Sequence, residues 1–157
     1  MKYTLITTLA LAGLTFAAEE STPVKFGELP APVAAAIKAA AGDAKFTDIT
    51  KEKEDGIVAY AAAWKAKGRK HEVTVGEDGK VLGLEESIPL EEAPKAVRAT
   101  IQKEADGREV IEVEKALEGG KTFFEAVIKT KKGTLEVKMD PSGKVIEREE
   151  ESAEEKK

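Results

Sequence analysis

The sequence contains no cysteine and a single histidine, His71. Small exported domains often depend on disulfide bonds, so a chain without cysteine must be held together by packing alone. A zinc or copper site would also lack its usual thiolate and paired imidazole ligands. These absences exclude a disulfide scaffold, and we predict that the protein has no cofactor and no metal site.

The chain has no excess of positive charge. It carries 25 Lys and Arg against 30 Asp and Glu, for a formal net charge of −5. Nucleic-acid binding requires a basic footprint to meet the phosphates, so this class of partner is excluded. With 41% hydrophobic and 35% charged residues, the composition is typical of a globular protein with a polar surface.

Long hydrophobic runs are missing beyond the N-terminus. There, Lys2 precedes an apolar stretch over residues 5–16, and small residues follow at Ala17 and Ala18. This pattern predicts a signal peptide over residues 1–17, cleaved near Ala17; a retained anchor is the alternative. The stretch is shorter than the about 20 residues of a membrane helix. We therefore expect a periplasmic or secreted protein without a stable membrane span after cleavage.

A repeat organises the rest of the chain. Pro30, Val33 and Ile37 recur 64 positions later as Pro94, Val97 and Ile101, and the sequence Gly-Lys-Val at 79–81 recurs at 143–145. Self-similarity at a fixed spacing indicates a duplicated structural unit.

Each copy reads as a helix followed by strands. Apolar residues at i, i+4 and i+8 after each proline predict a helix, with Gly42 and Gly107 as left-handed caps. Four strands separated by turn residues follow in each copy. The sequence predicts an α+β fold of two tandem units, each a helix plus a four-stranded antiparallel sheet. The predicted segments are the signal peptide 1–17, a flexible N-terminal segment 18–27, repeat 28–86, linker 87–92, repeat 93–150 and a disordered acidic tail 151–157.

The repeated motifs resemble those of the PepSY-like family, whose fold is likened to that of beta-lactamase inhibitory protein. In the first copy the resemblance is carried by Leu29-Pro30, Val33, Ile37, Gly56, Tyr60, Glu72-Val73 and Asp78-Gly79-Lys80-Val81. In the second copy, Ala93 replaces the leucine and Phe124 the tyrosine that the family favours. The resemblance implies one curved sheet with both helices on one face, a periplasmic location, and a binding or inhibitory role.

The residue types needed for catalysis are not arranged for it. The serines fall in predicted loops, turns and termini, without the strained elbow of a nucleophile. Residues 77–79 and 140–143 have turn chemistry and lack the ligand alternation of a calcium loop. The repeat aligns His71 with Leu135, which indicates a strand residue at the edge of the core. We therefore predict that the protein is not an enzyme.

The strands "IVAYAAAWKAK" and "TFFEAVIKTK" suggest a recognition surface. Side chains alternate between the two faces of a strand, and the face containing Tyr60, Trp64 and Phe124 reads as core beneath the helix. The opposite, helix-free face would then expose small and apolar groups, which is typical of a contact surface; dimerisation or ordinary apolar exposure are alternatives. The predicted binding residues are Ala59, Ala61, Ala63, Lys65, Phe123, Glu125, Val127 and Lys129.

Together these patterns predict an exported, non-enzymatic protein-binding module that contacts a protein partner through the helix-free sheet face. An inhibitor or sensor of an envelope or secreted enzyme would be such a module. The alternative is a periplasmic protein that binds a small ligand or a cation such as calcium, which carboxylates alone can hold.

Overall fold

The computed structural model describes residues 10–11, 14–15, 20–54 and 57–152. The cleavage site predicted near Ala17 and most of the predicted signal peptide and acidic tail lie outside these residues. The chain divides into two compact units, Met1–Leu84 (unit 1) and Glu85–Lys157 (unit 2). The boundaries drawn from the sequence repeat stay predictions.

The described residues form two α-helices and eleven strands. Single 3-10 turns at Phe26–Glu28 and Leu90–Glu92 precede the two helices. The helices are α1 Ala31–Ala41 and α2 Lys95–Ala105. The strands are β1 Ala10–Leu11, β2 Leu14–Thr15, β3 Glu20–Pro23, β4 Phe46–Glu54, β5 Ile57–Ala66, β6 Arg69–Gly76, β7 Val81–Ser87, β8 Val110–Glu118, β9 Lys121–Lys129, β10 Gly133–Met139 and β11 Val145–Ser152.

Strands β3 to β11 form a single nine-stranded antiparallel sheet in sequential order, and β1 pairs with β2 separately. Strands predominate among the described residues, and both helices are short. The predicted fold class, two tandem units of a helix plus four strands, is therefore wrong. Individual strands were nonetheless placed closely: the predicted strands over 57–67 and 122–131 correspond to β5 and β9.

Within the nine-stranded sheet, the strand that the sequence did not predict is β3. Its residues, Glu-Ser-Thr-Pro, pair with Lys53 to Thr50 of β4. The described side chains of β3 are exposed, so backbone hydrogen bonding rather than apolar burial positions this strand. A search for alternating apolar residues cannot detect such a strand.

In unit 1, the apolar stripe of α1 packs on the sheet. Val33 and Ile37 have no solvent exposure and lie in one cluster with Tyr60, Trp64 and Val73. The prediction that Tyr60 and Trp64 face the core is confirmed. His71, on β6, stacks on the Trp64 ring with centroids 5.5 Å apart and is half-buried, as expected for the edge of the core.

In unit 2, α2 packs in the corresponding way. Val97 and Ile101 are fully buried against Phe124, Ile128 and Val137. These side chains come from α2, β9 and β10, so one face of the unit 2 sheet is covered by the helix. The other face of β8 to β11 carries the remaining alternate residues.

The helix ends differ from the predicted left-handed glycine caps. Gly42 closes α1 and its N–H donates to the Lys38 carbonyl, but with φ +62° and ψ −127° its backbone lies outside the left-handed helical region. α2 instead ends at Asp106, which is left-handed with φ 48° and ψ 47°, and Gly107 follows with φ +77°. Aspartate tolerates this conformation because its short polar side chain can hydrogen-bond locally.

The turn between β10 and β11 packs directly on α2. Asp140 Oδ1 accepts hydrogen bonds from the N–H groups of Ser142 and Lys144. Gly143 has φ +80°, and its carbonyl accepts a hydrogen bond from Thr100 Oγ1 at 2.7 Å. A Cβ at Gly143 would lie 2.6 Å from the Ala96 carbonyl oxygen. The predicted turn at residues 140–143 is confirmed. It contacts α2 at Gly143, which has no side chain.

Candidate recognition face

The candidate site is the face of β8 to β11 that points away from α2, here called the open face of unit 2. On β9 it carries Phe123, Glu125 and Val127, because the alternate residues Phe124 and Ala126 lie in the core. Lys138 of β10 is directly opposite Glu125. Each side chain on this face therefore has its neighbours set by the strand register.

A buried ionic network lies on the open face. Lys138 Nζ is 2.7 and 2.9 Å from the two carboxylate oxygens of Glu118, and 3.0 Å from Glu125 Oε1. The three side chains are only 2–6% exposed. The contact to Glu125 Oε1 has ion-pair distance without hydrogen-bond geometry. A buried charge is energetically costly unless it is paired. Lys138 therefore offsets the cost of burying the carboxylates of Glu118 and Glu125.

Phe123 takes part in the same network. The Lys138 ammonium lies 5.1 Å from the centroid of the Phe123 ring, within the range of a cation–π contact. Phe123 is half-buried rather than a large apolar group left facing solvent. Its ring therefore stabilises the lysine as well as contributing apolar surface.

Burial and like charges perturb the carboxyl groups of the open face. Desolvation by burial, together with the Glu125 carboxylate, raises the pKa of Glu136 to about 9. Burial also raises the pKa of Glu118, although Lys138 opposes this change. Burial would lower the pKa of Lys138, but the adjoining Glu125 and Glu118 carboxylates outweigh it and the pKa is raised. The open face thus combines a firmly protonated lysine with a carboxyl group that stays neutral at pH 7.

The corresponding face of unit 1 is built from smaller groups. Ala59 and Ala61 of β5 are 1% and 7% exposed, and Thr74, opposite Ala61 on β6, is 3% exposed. On β4, burial raises the pKa of Glu52, which also accepts a hydrogen bond from Thr50. Alanine side chains at such low exposure offer a partner little to contact.

The predicted binding residues therefore differ in accessibility. Ala59, Ala61 and Glu125 are buried, Ala63, Phe123 and Val127 are half-buried, and Lys65 and Lys129 are exposed. Sequence reasoning missed Glu118, Glu136 and Lys138. A signal existed, because the repeat spacing of 64 aligns Lys138 with Thr74 and Glu125 with Ala61, so opposite charges replace two small residues on neighbouring strands.

Features of other site classes are absent from the part of the chain that the structure describes. It contains no group of three or more His, Asp and Glu side chains arranged to hold a metal ion. Within the same residues, neither helix has the length and hydropathy needed to cross a membrane.

Solved structures share this fold. A candidate periplasmic protein from Bacteroides eggerthii matches with a TM-score of 0.64 and 17% identity, over 77% of this chain and 88% of its own. A DUF2874 family protein from Bacteroides uniformis matches with a TM-score of 0.62 and 18% identity, over 76% and 88%. A BLIP-like protein from Bacteroides fragilis matches with a TM-score of 0.56 and 19% identity, over 75% and 83%.

No protein-family model and no curated protein matches the chain. At such low identities the likenesses to solved structures establish the fold alone, which is that of BLIP-like and DUF2874 proteins.

Proposed function

We propose that this chain is an exported, non-enzymatic protein-binding module that acts in the periplasm or outside the cell. Its partner is a protein of the envelope or the extracellular space, such as an enzyme that it inhibits or senses. The N-terminal signal pattern supports export, and the repeat spacing of 64 residues supports a PepSY-like tandem origin. The BLIP-like fold is compatible with this role, but fold does not by itself imply function.

The observation that carries the proposal is the arrangement around Val127 on the open face of unit 2. Val127 is half-buried and lies between Glu136 on β10 and Glu112 on β8. Protein interfaces typically have an apolar centre and a polar rim. The adjacent Glu118–Lys138–Glu125 network holds the neighbouring strands with fixed side chains, which reduces the ordering cost of binding.

Substituting Val127 with aspartate should abolish partner capture while the chain stays folded. Val127 is the better choice than Phe123, because the Phe123 ring also contacts Lys138. A central interface residue contributes about 2 kcal/mol or more, so we expect binding to weaken by about 30-fold or more. The measurement uses the full-length chain as bait for envelope proteins, followed by titration of the purified captured protein by calorimetry.

A matched control is Gln102→Asp, which adds the same charge to an exposed position of α2, on the covered side of the unit 2 sheet. This variant should bind like the wild type. Equal binding by the wild type and both variants would refute the open face as the contact surface. A rise in melting temperature with calcium alone, and no captured protein, would instead favour the cation-binding alternative.

A further inference from the structure

The open face of unit 2 brings several carboxyl groups together around one buried lysine, Lys138. Glu125 on β9 lies directly opposite Glu114 on β8 and Lys138 on β10. Glu114 and Glu125 are 8% and 3% exposed. Lys138 already binds both oxygens of Glu118, so its charge is shared between Glu118 and Glu125.

Glu136 is the next carboxyl group in this arrangement. It lies two residues from Lys138 along β10, and so diagonally across from Glu125, a separation that long side chains span. Glu125 Oε1 is buried and receives no hydrogen bond from the described residues, so a protonated Glu136 carboxyl would supply the donor that it lacks. An ionised carboxylate only accepts hydrogen bonds, so a hydrogen bond between two carboxyl groups requires a proton on one of them.

We propose that the open face of unit 2 retains one proton, held by Glu136 and donated to Glu125, and that this proton makes the fold pH-sensitive. The Glu136 O–H donates to the Glu125 carboxylate, which also faces the Lys138 ammonium. Loss of the proton to solvent base would leave two adjacent carboxylates that repel each other, with Glu125 buried and Glu136 half-buried. This inference concerns the stability of the fold and does not depend on the proposed binding function.

The surrounding groups from every adjacent strand favour the neutral form. Besides Glu136, the charged residues on the open face are Glu112, Glu114 and Glu118 of β8, Lys121, Glu125 and Lys129 of β9, Lys138 of β10, and Glu147, Glu149 and Glu151 of β11. Desolvation is the largest cause that raises the pKa of Glu136, followed by Glu125, Glu114 and Glu149. Negative groups outnumber positive ones here, so the field opposes ionisation.

The sign of the pH effect follows from proton linkage. The pKa of Glu136 is about 9 in the folded chain, against an ordinary value of 4.5. Between these values the folded state holds a proton that the unfolded state lacks, so stability falls as pH rises. The contribution is complete below about pH 4.5 and is lost by about pH 9.

The experiment compares the wild type with Glu136→Gln across pH 5–9. The amide that this substitution introduces donates a hydrogen bond to Glu125 without a titratable proton. We expect the wild-type melting temperature to fall over this range and that of E136Q to change less. Calorimetry at pH 7 in buffers with different ionisation enthalpies should show about one proton released on unfolding of the wild type, and about one fewer for E136Q.

The control is Glu150→Gln, which makes the same substitution at an exposed position on β11. It should keep the wild-type pH dependence and proton release. Equal pH slopes and proton release in the wild type and E136Q would overturn the proposal. If E136Q does not fold, the wild-type and E150Q chains still decide it, because unfolding at pH 7 without proton release would overturn the proposal equally.

Discussion

Replacing Lys138 with methionine should lower the free energy of unfolding by about 3–5 kcal/mol at pH 7, because it leaves two buried carboxylates without their cation. Methionine keeps the length and apolar stem of the side chain, so the loss reports the ammonium rather than a cavity. Glu118 loses two contacts, at 2.7 and 2.9 Å, and Glu125 loses one at 3.0 Å.

The destabilisation in K138M should shrink as pH falls towards 5. Without the lysine, the pKa of Glu118, which burial already raises, rises further. A carboxyl group with a raised pKa in the folded state contributes stability at low pH that is lost as pH rises. Urea unfolding of K138M and the wild type at several pH values between 5 and 8 measures this trend.

Lys129→Met is the matched control for this substitution. Lys129 also pairs with a glutamate, at 3.0 Å from Glu109, but both side chains are 63% exposed. Exposed ion pairs contribute about 0–1 kcal/mol, so K129M should stay close to the wild type. A similar loss of unfolding free energy in K138M and K129M would show that solvent reaches the Lys138 site. Adding Glu118→Gln to K138M should recover part of the loss, since one buried charge is then removed.

Substituting Gly143 with alanine should lower the free energy of unfolding by about 2–5 kcal/mol, which combines backbone strain with overpacking. Gly143 has φ +80°, a conformation that alanine adopts at a cost. The new methyl group would also lie 2.6 Å from the Ala96 carbonyl oxygen and 2.8 Å from Thr100 Oγ1. The turn would have to move off α2 and lose the Thr100 hydrogen bond. Thermal and urea unfolding measure the loss.

Gly107→Ala separates strain from overpacking. Gly107 has φ +77°, close to that of Gly143, but a Cβ there would meet nothing within 4 Å. Its substitution should therefore cost only the backbone term, about 1 kcal/mol. Gly79→Ala in unit 1 should behave like Gly143→Ala, since its Cβ would lie 2.9 Å from the Pro32 carbonyl oxygen. If all three variants lost the same stability, close packing of the turns on the helices would be disproved.

The sequence alone predicted the helices, most strands and the core. The stripes beginning at Val33 and Val97 place α1 and α2, and the alternation through Tyr60 and Phe124 identifies the covered face. These features follow from local periodicity, because the apolar stripe of a helix is buried when that side of the helix faces the core. The turn at residues 140–143 was equally predictable, since aspartate and glycine have specific turn conformations.

The candidate site could not be predicted in the same way. Glu118, Glu125 and Lys138 come from three strands, and 20 residues separate Lys138 from Glu118. In the sequence these three residues look like ordinary charged residues, because 35% of the chain is charged. Which charges meet depends on strand register, and register depends on turns and bulges throughout the sheet.

The amino-acid sequence by itself determined which side chains seek burial, since hydrophobic periodicity and turn residues act over a few neighbouring positions. Only the tertiary structure decided that Glu-Ser-Thr-Pro at 20–23 adds a strand. It also decided that the open face of unit 2 carries a buried ionic network. Both depend on backbone pairing between distant segments. That pairing uses the N–H and C=O groups that all residues except proline carry, so the choice of partner strand is not set by particular side chains.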